Sequence, residues 1–130
     1  MSRRVSFDLP GLKHTNPIPG GCRVGPILVT SGISGVDPQS GKLPEGIEAQ
    51  CAQMFQNIRA ILEVGGATTD DVVKLTVWLQ DRTQRPAVNK EWVAMFPDPH
   101  SRPARHTFGG PDLAPEMLVQ CEVMAVVAEK

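Results

Sequence analysis

The 130-residue chain contains no tyrosine, and aromatic residues of any kind make up only 5% of it. Stacking platforms for unpaired bases are therefore few. Thirteen basic against fourteen acidic residues leave a net charge of −1, with no excess positive charge to track a phosphate backbone. A nucleic-acid partner is not expected. No apolar run is long enough to span a bilayer, and the opening "MSRRVSFDLPG" lacks the apolar stretch of a secretory leader. A cytoplasmic protein without a membrane partner is the expectation. The three cysteines, Cys22, Cys51 and Cys121, form no CxxC and no Cys/His cluster, and their odd number suits a reducing compartment. His14, His100 and His106 have no ligand spacing, so no metal site is expected. GxGxxG, GK[ST] and GxSxG are all missing, which removes dinucleotide, P-loop and serine-hydrolase chemistry and leaves no cofactor to expect.

What is present reads as one α+β domain over 1–130, with 41% hydrophobic and 21% charged residues. The proline- and glycine-rich first 26 residues suggest an edge strand at 5–9 and then irregular chain, with Cys22 in a loop beside Arg23, where a reactive thiol is conceivable. "ILVTSG" (27–32) predicts a buried strand, and "GVDPQSGKLP" (35–44) is turn chemistry. In "EGIEAQCAQMFQNIRAILEVGG" the apolar residues Ile47, Cys51, Met54, Phe55, Ile58, Ile61 and Leu62 keep helical spacing up to a Gly-Gly stop. "VVKLTVWL" alternates, which predicts a strand with Val73, Leu75, Val77 and Leu79 facing the core. "TQRPAVNKEWVAMFPD" returns to helical spacing, with Val88, Trp92, Met95 and Phe96 as a packing stripe and Pro97 as the stop. "PARHTFG" and "EMLVQCEVMAVVAE" predict two closing strands. The last has apolar residues on both faces, and two helices can cover only one face of a mixed sheet. The other face needs a second subunit.

Within these strands the polar residues stand out. Arg105 and Thr107 share one face of their strand, with His106 on the other, while Gln120 and Glu122 share one face of theirs. A guanidinium is a rigid fork suited to a carboxylate. Arg105 therefore reads either as an anion clamp or as a structural partner of Glu122 or another acid.

"VTSGISGVDPQSGKLP", "AQMFQNIRAILEVGG", "DDVVKLTVWLQD", "VNKEWVAMF" and "RPARHTF…LVQCEVMAVVA" together resemble the RidA (YjgF) family of enamine/imine deaminases along nearly the whole chain. The resemblance implies a chorismate-mutase-like α+β fold, assembled as a homotrimer with ligand clefts between subunits. It implies a small carboxylate-bearing substrate, with Arg105 as the carboxylate clamp, Ser31 and Gly32 lining the cleft, Asn89 in support and Thr107 where cysteine is common. Two positions depart from the family pattern. Ile18 falls near the cleft tyrosine, and Gln120 replaces a glutamate that handles the hydrolytic water; an amide can hold water but cannot take its proton. "HTNPIPGG", "FPD" and "RPARH" further resemble 2-aminomuconate deaminase. For such a dicarboxylate Arg102, Arg23 or His14 could supply a second cationic contact. The implied reaction is hydrolysis of an enamine or imine to a carbonyl compound and ammonia. Non-catalytic binding of small carboxylates is a second reading, and endoribonuclease or translation-inhibitor activity a third.

Overall fold

The computed structural model describes residues 3–12, 14–110 and 112–128. β1 (Arg4–Phe7), β2 (Gly21–Val24) and β3 (Ile27–Thr30) form a meander, with β2 and β3 joined through Gly25 and Pro26. Gly25 takes a φ of 55°, which only glycine adopts without strain in so tight a loop. A short β4 (Ile33–Ser34) precedes α1 (Ile47–Val64), and β5 (Val72–Leu79), α2 (Arg85–Met95), β6 (Ala104–Gly109) and β7 (Val119–Val126) follow. The sheet order is β1-β2-β3-β7-β5-β6, with β4 also paired to β7. β5 and β6 are parallel and every other pair is antiparallel. A parallel pair requires a crossover, which α2 provides. α1 joins β4 to β5, both antiparallel to β7, and so makes a second crossover. Both helices pack on one face of the sheet, as the residue pattern requires.

The core lies between that face and the helices. Cys51, Met54, Ile58, Ile61 and Leu62 of α1 meet Leu28, Leu75, Val77, Leu79, Val119, Cys121 and Val123, all of them nearly or fully inaccessible. Two polar side chains of α1 are buried here as well. Asn57 donates to the carbonyls of Ser34 and Val36 at 2.9 and 2.8 Å. Gln50 donates to the carbonyls of Pro44 and Glu116 and accepts the N–H of Leu118 at 2.9 Å. The contact is close because residue 35 is glycine: a Cβ there would lie 2.8 Å from the Gln50 Cα.

Several expectations need correction. Cys22 is not in a loop but in β2, because β2 closes a hairpin on β3 and pairs Cys22 with Val29. β1 ends at Phe7 rather than at residue 9, since the Asp8 carboxylate takes the Gly20 N–H and turns the chain out of the ladder. Val73 does not face the core. A bulge between Val72 and Lys74 puts Val72 inside and leaves Val73 exposed, after which Leu75, Val77 and Leu79 follow the expected alternation. The sheet face away from the helices bears Ile27, Val29, Met124 and Val126, exposed by 39%, 38%, 39% and 42%. That is a contiguous apolar surface which the described chain does not cover.

Candidate functional site

β6 is an edge strand whose parallel register sets Arg105 beside Leu75 and Thr107 beside Val77. Both partners are core residues, so Arg105 and Thr107 lie on the helix-covered face, where α2 is within reach. Asn89 and Trp92, three residues apart, are neighbours on α2. Arg105 Nη2 donates to Asn89 Oδ1 at 2.6 Å and Nε donates to Thr107 Oγ1 at 3.0 Å. The guanidinium carbon stands 5.1 Å from the Trp92 ring centroid, and Trp92 is braced edge-on by Phe96. These contacts hold the fork in one orientation, yet every partner is neutral. Burial lowers the Arg105 pKa, and the nearby Arg85 lowers it further. The structural pairing with Glu122 does not occur, because the β7 register places Glu122 beside Thr76 on the opposite face of the sheet. Among the described residues this held, partly desolvated cation has no carboxylate partner.

The other expected residues fall into a separate group. Gln120 pairs with Ser34 and Trp78 on the uncovered face, half-buried against Gly32. A Cβ at position 32 would come within 2.7 Å of the Gln120 amide carbon, so glycine lets this side chain lie over the β3–β4 junction. Ser31 donates from Oγ to the Pro19 carbonyl at 2.7 Å. Gly32, Gln120 and His14 line a cavity of about 360 Å³ with Asp8, Asn57 and Met117. Ile18 is exposed and is not among its walls. One chain thus brings together Arg105, Thr107 and Asn89, and separately Gly32, Gln120 and His14. It does not bring the two groups to one point.

Arg102 and Arg23 are committed elsewhere. Arg102 donates to the carbonyls of Phe96 and Pro97, tying down the chain after α2. Arg23 donates to the carbonyls of Gly25 and Gly65. Sequence reasoning missed Arg85 and took Trp92 for packing alone. Arg85, Asn89 and Trp92 have the i, i+4, i+7 spacing of one helix face, and that signal was available. Beside Thr107 lies an open cleft of about 750 Å³, walled by Gln80, Asp81, Arg82, Phe108 and Gly109. Among the described residues, no group of His, Cys, Asp and Glu converges to hold a metal, and no helix is long and apolar enough to cross a membrane.

Residues 14–127 match the family model described as endoribonuclease L-PSP. A RutC family protein of Aquifex aeolicus is 35% identical over 115 residues, covering 85% of this chain and 92% of that one. The 2-iminobutanoate/2-iminopropanoate deaminase of Escherichia coli K12 is 32% identical over 111 residues, covering 85% and 87%. Among solved structures, RidA from the Antarctic bacterium Psychrobacter superposes with a TM-score of 0.84 at 30% identity, covering 98% of this chain and 100% of that one. The mixed sheet with two helices on one face is the chorismate-mutase-like α+β fold of these proteins.

Proposed function

Since the chain belongs to the endoribonuclease L-PSP family, among whose members are the RutC and RidA proteins, we propose that it is a deaminase hydrolysing enamine or imine carboxylates. The observation that carries this reading is Arg105, fixed by Asn89, Thr107 and Trp92 and left without a counter-charge among the described residues. The substrate carboxylate takes the remaining guanidinium donors as a bidentate pair. An enamine first moves its N–H proton to carbon and becomes the imine. Water then adds to the C=N carbon and gives one proton to nitrogen, forming a carbinolamine. Its hydroxyl proton then moves to the nitrogen as the C=O forms and the C–N bond breaks, releasing ammonia and the keto acid. The uncatalysed reaction already proceeds in water, so orientation and a fixed positive charge are useful contributions.

Gln120 is the water-holding residue of this scheme. Its amide oxygen accepts a hydrogen bond from water, and the proton goes to the substrate nitrogen rather than to the protein. Arg105 and Gln120 occupy opposite faces of one sheet, so a complete site is formed between neighbouring protomers of a homotrimer. The apolar uncovered face supports such an assembly. The finer substrate reading is an unsaturated amino-dicarboxylate of the 2-aminomuconate type.

Gln120 also favours a second reading, a binder of small carboxylates without turnover, since no carboxylate base stands at that position. Ammonia release from freshly generated imino acids and from 2-aminomuconate decides between the two. Acceleration by the wild type and its loss in Arg105→Ala supports the deaminase. Carboxylate binding with no acceleration supports the binder, and equal rates for the two proteins remove Arg105 from the mechanism. RNA cleavage by highly purified protein, abolished in Arg105→Ala, would instead favour a ribonuclease.

A further inference from the structure

Arg105 is not the only cation on its side of the sheet. As a crossover between parallel strands, α2 runs antiparallel to β6, so its first residue, Arg85, lies toward the Thr107–Gly109 end of the strand. Arg85 precedes Asn89 by four residues, about 6 Å of rise, on the helix face that holds Arg105. Arg82 approaches the same end from the 3₁₀ turn before α2. Its stem lies flat on Gly109, where a Cβ would collide with Cγ and Cδ of the arginine. Arg105, Thr107 and Gly109 follow one another along a single strand face, about 6.6 Å apart at each step. They lead from the clamp into the 750 Å³ cleft that Arg82 lines.

Both arginines are exposed, and neither donates a side-chain hydrogen bond to another described residue. Asp81 also lines the cleft; its Oδ1 accepts from the N–H and hydroxyl of Thr83 at 2.9 and 2.6 Å, which lowers its pKa and leaves one negative charge to set against the arginines. Arg82 lines the cleft, Arg105 lies one strand step behind its Thr107 wall, and Arg85 is close enough to Arg105 to disfavour its charge. Mutual repulsion among them is relieved by an anion larger than one carboxylate.

We propose that Arg82 and Arg85 form a second anion subsite beside Arg105, so that the site prefers carboxylates carrying another negative group at their far end. This deepens the proposed function and rests on Arg105 as the carboxylate clamp. The second contact is made by these two residues rather than by Arg102 or Arg23, whose heads are bound to backbone carbonyls.

The test is equilibrium binding of matched straight-chain acids, succinate to pimelate against butyrate to heptanoate, to the full-length protein and its Arg82→Gln, Arg85→Gln and double variants. The best-fitting dicarboxylate should bind the wild type roughly 3- to 10-fold more tightly than its monocarboxylate counterpart, as expected for charge contacts in a half-open cleft. The advantage should shrink with added salt. In the double variant it should fall to near parity, and Arg85→Glu should make the dicarboxylate the weaker ligand, at unchanged melting temperature. Equal binding of both series to the wild type, or a preference that survives the double variant, overturns the subsite. If neither series binds, the Arg105 clamp itself falls and the subsite falls with it, an outcome that monocarboxylate binding alone distinguishes.

Discussion

Arg105 is held by two hydrogen bonds and one ring face, none of which offsets its charge. Removing it therefore relieves a desolvated cation rather than breaking an ion pair. Arg105→Ala should leave the melting temperature within a few degrees while weakening carboxylate binding roughly 30- to 1,000-fold, measured by calorimetry. Arg105→Lys should recover little of this, because a point charge cannot reproduce the planar fork. A structural arginine would show the reverse, a lowered melting temperature with no ligand effect. The thiols make a separate prediction. Burial pushes the Cys51 thiol up from 9.0 to about 12, with Glu91 and Glu48 adding to the effect, and it pushes Cys121 upward as well. The unfolded chain then loses these protons first. Stability is complete below the unfolded value of 9.0 and declines as the pH rises through it toward about 12. Denaturant melts at pH 8 and 10.5 should show a smaller alkaline loss in Cys51→Ala than in wild type. An identical loss would mean that the thiol is not desolvated.

At the level of elements, α1 is joined to the sheet by more than its apolar stripe. Asn57 satisfies two carbonyls from β4 and the following turn, and Gln50 links α1 to the loop before it and to the approach to β7. Asn57→Ala strands those carbonyls in the interior and should cost roughly 2–4 kcal/mol, read as a lower denaturant midpoint. A loss well under 1 kcal/mol would mean that water replaces the amide. Because Asn57 and Gln120 line the same cavity, the variant should also loosen the Gly32–Gln120 contact. The i, i+4, i+7 apolar spacing of α1 was legible in advance. The buried amides were not, since glutamine and asparagine within a helix carry no periodic signal that separates a tethered side chain from a solvated one. The β5 bulge escaped notice for a related reason: Val72 and Val73 are chemically identical, and only pairing with β7 selects which one turns inward.

For the whole molecule, the uncovered face is the feature with the largest consequence. Ile27, Val29, Met124 and Val126 form adjacent apolar positions on β3 and β7. Sedimentation should show a homo-oligomer at micromolar concentration, expected to be a trimer. Met124→Lys with Val29→Lys should yield a folded species of lower mass, because these side chains lie on the uncovered face and not in the core between sheet and helices. If the site is completed between protomers, that species should lose ammonia-releasing activity while keeping its circular dichroism. A wild-type monomer with full activity would overturn the shared site. Apolar residues on both faces of the last strand were readable from the sequence, and with them an apolar face that the described chain leaves uncovered.

Residue order alone determined the elements that depend on local chemistry. The α1 and α2 stripes, the Gly65–Gly66 and Pro97 stops, and the alternation along β7 follow from periodicity and backbone preference, which act over a few neighbouring residues. The shared face of Arg105 and Thr107 follows from the two-residue period of a strand. Tertiary structure decided which groups meet. The parallel β5–β6 register, through the α2 crossover, set Asn89, Trp92 and Arg85 around Arg105 and carried Glu122 and Gln120 to the opposite face. It also drew Arg102 and Arg23 onto carbonyls and left Arg82 lining the cleft and Arg85 near Arg105. Such contacts join residues distant in the chain, and a guanidinium's partner depends on strand register and helix direction rather than on its immediate neighbours.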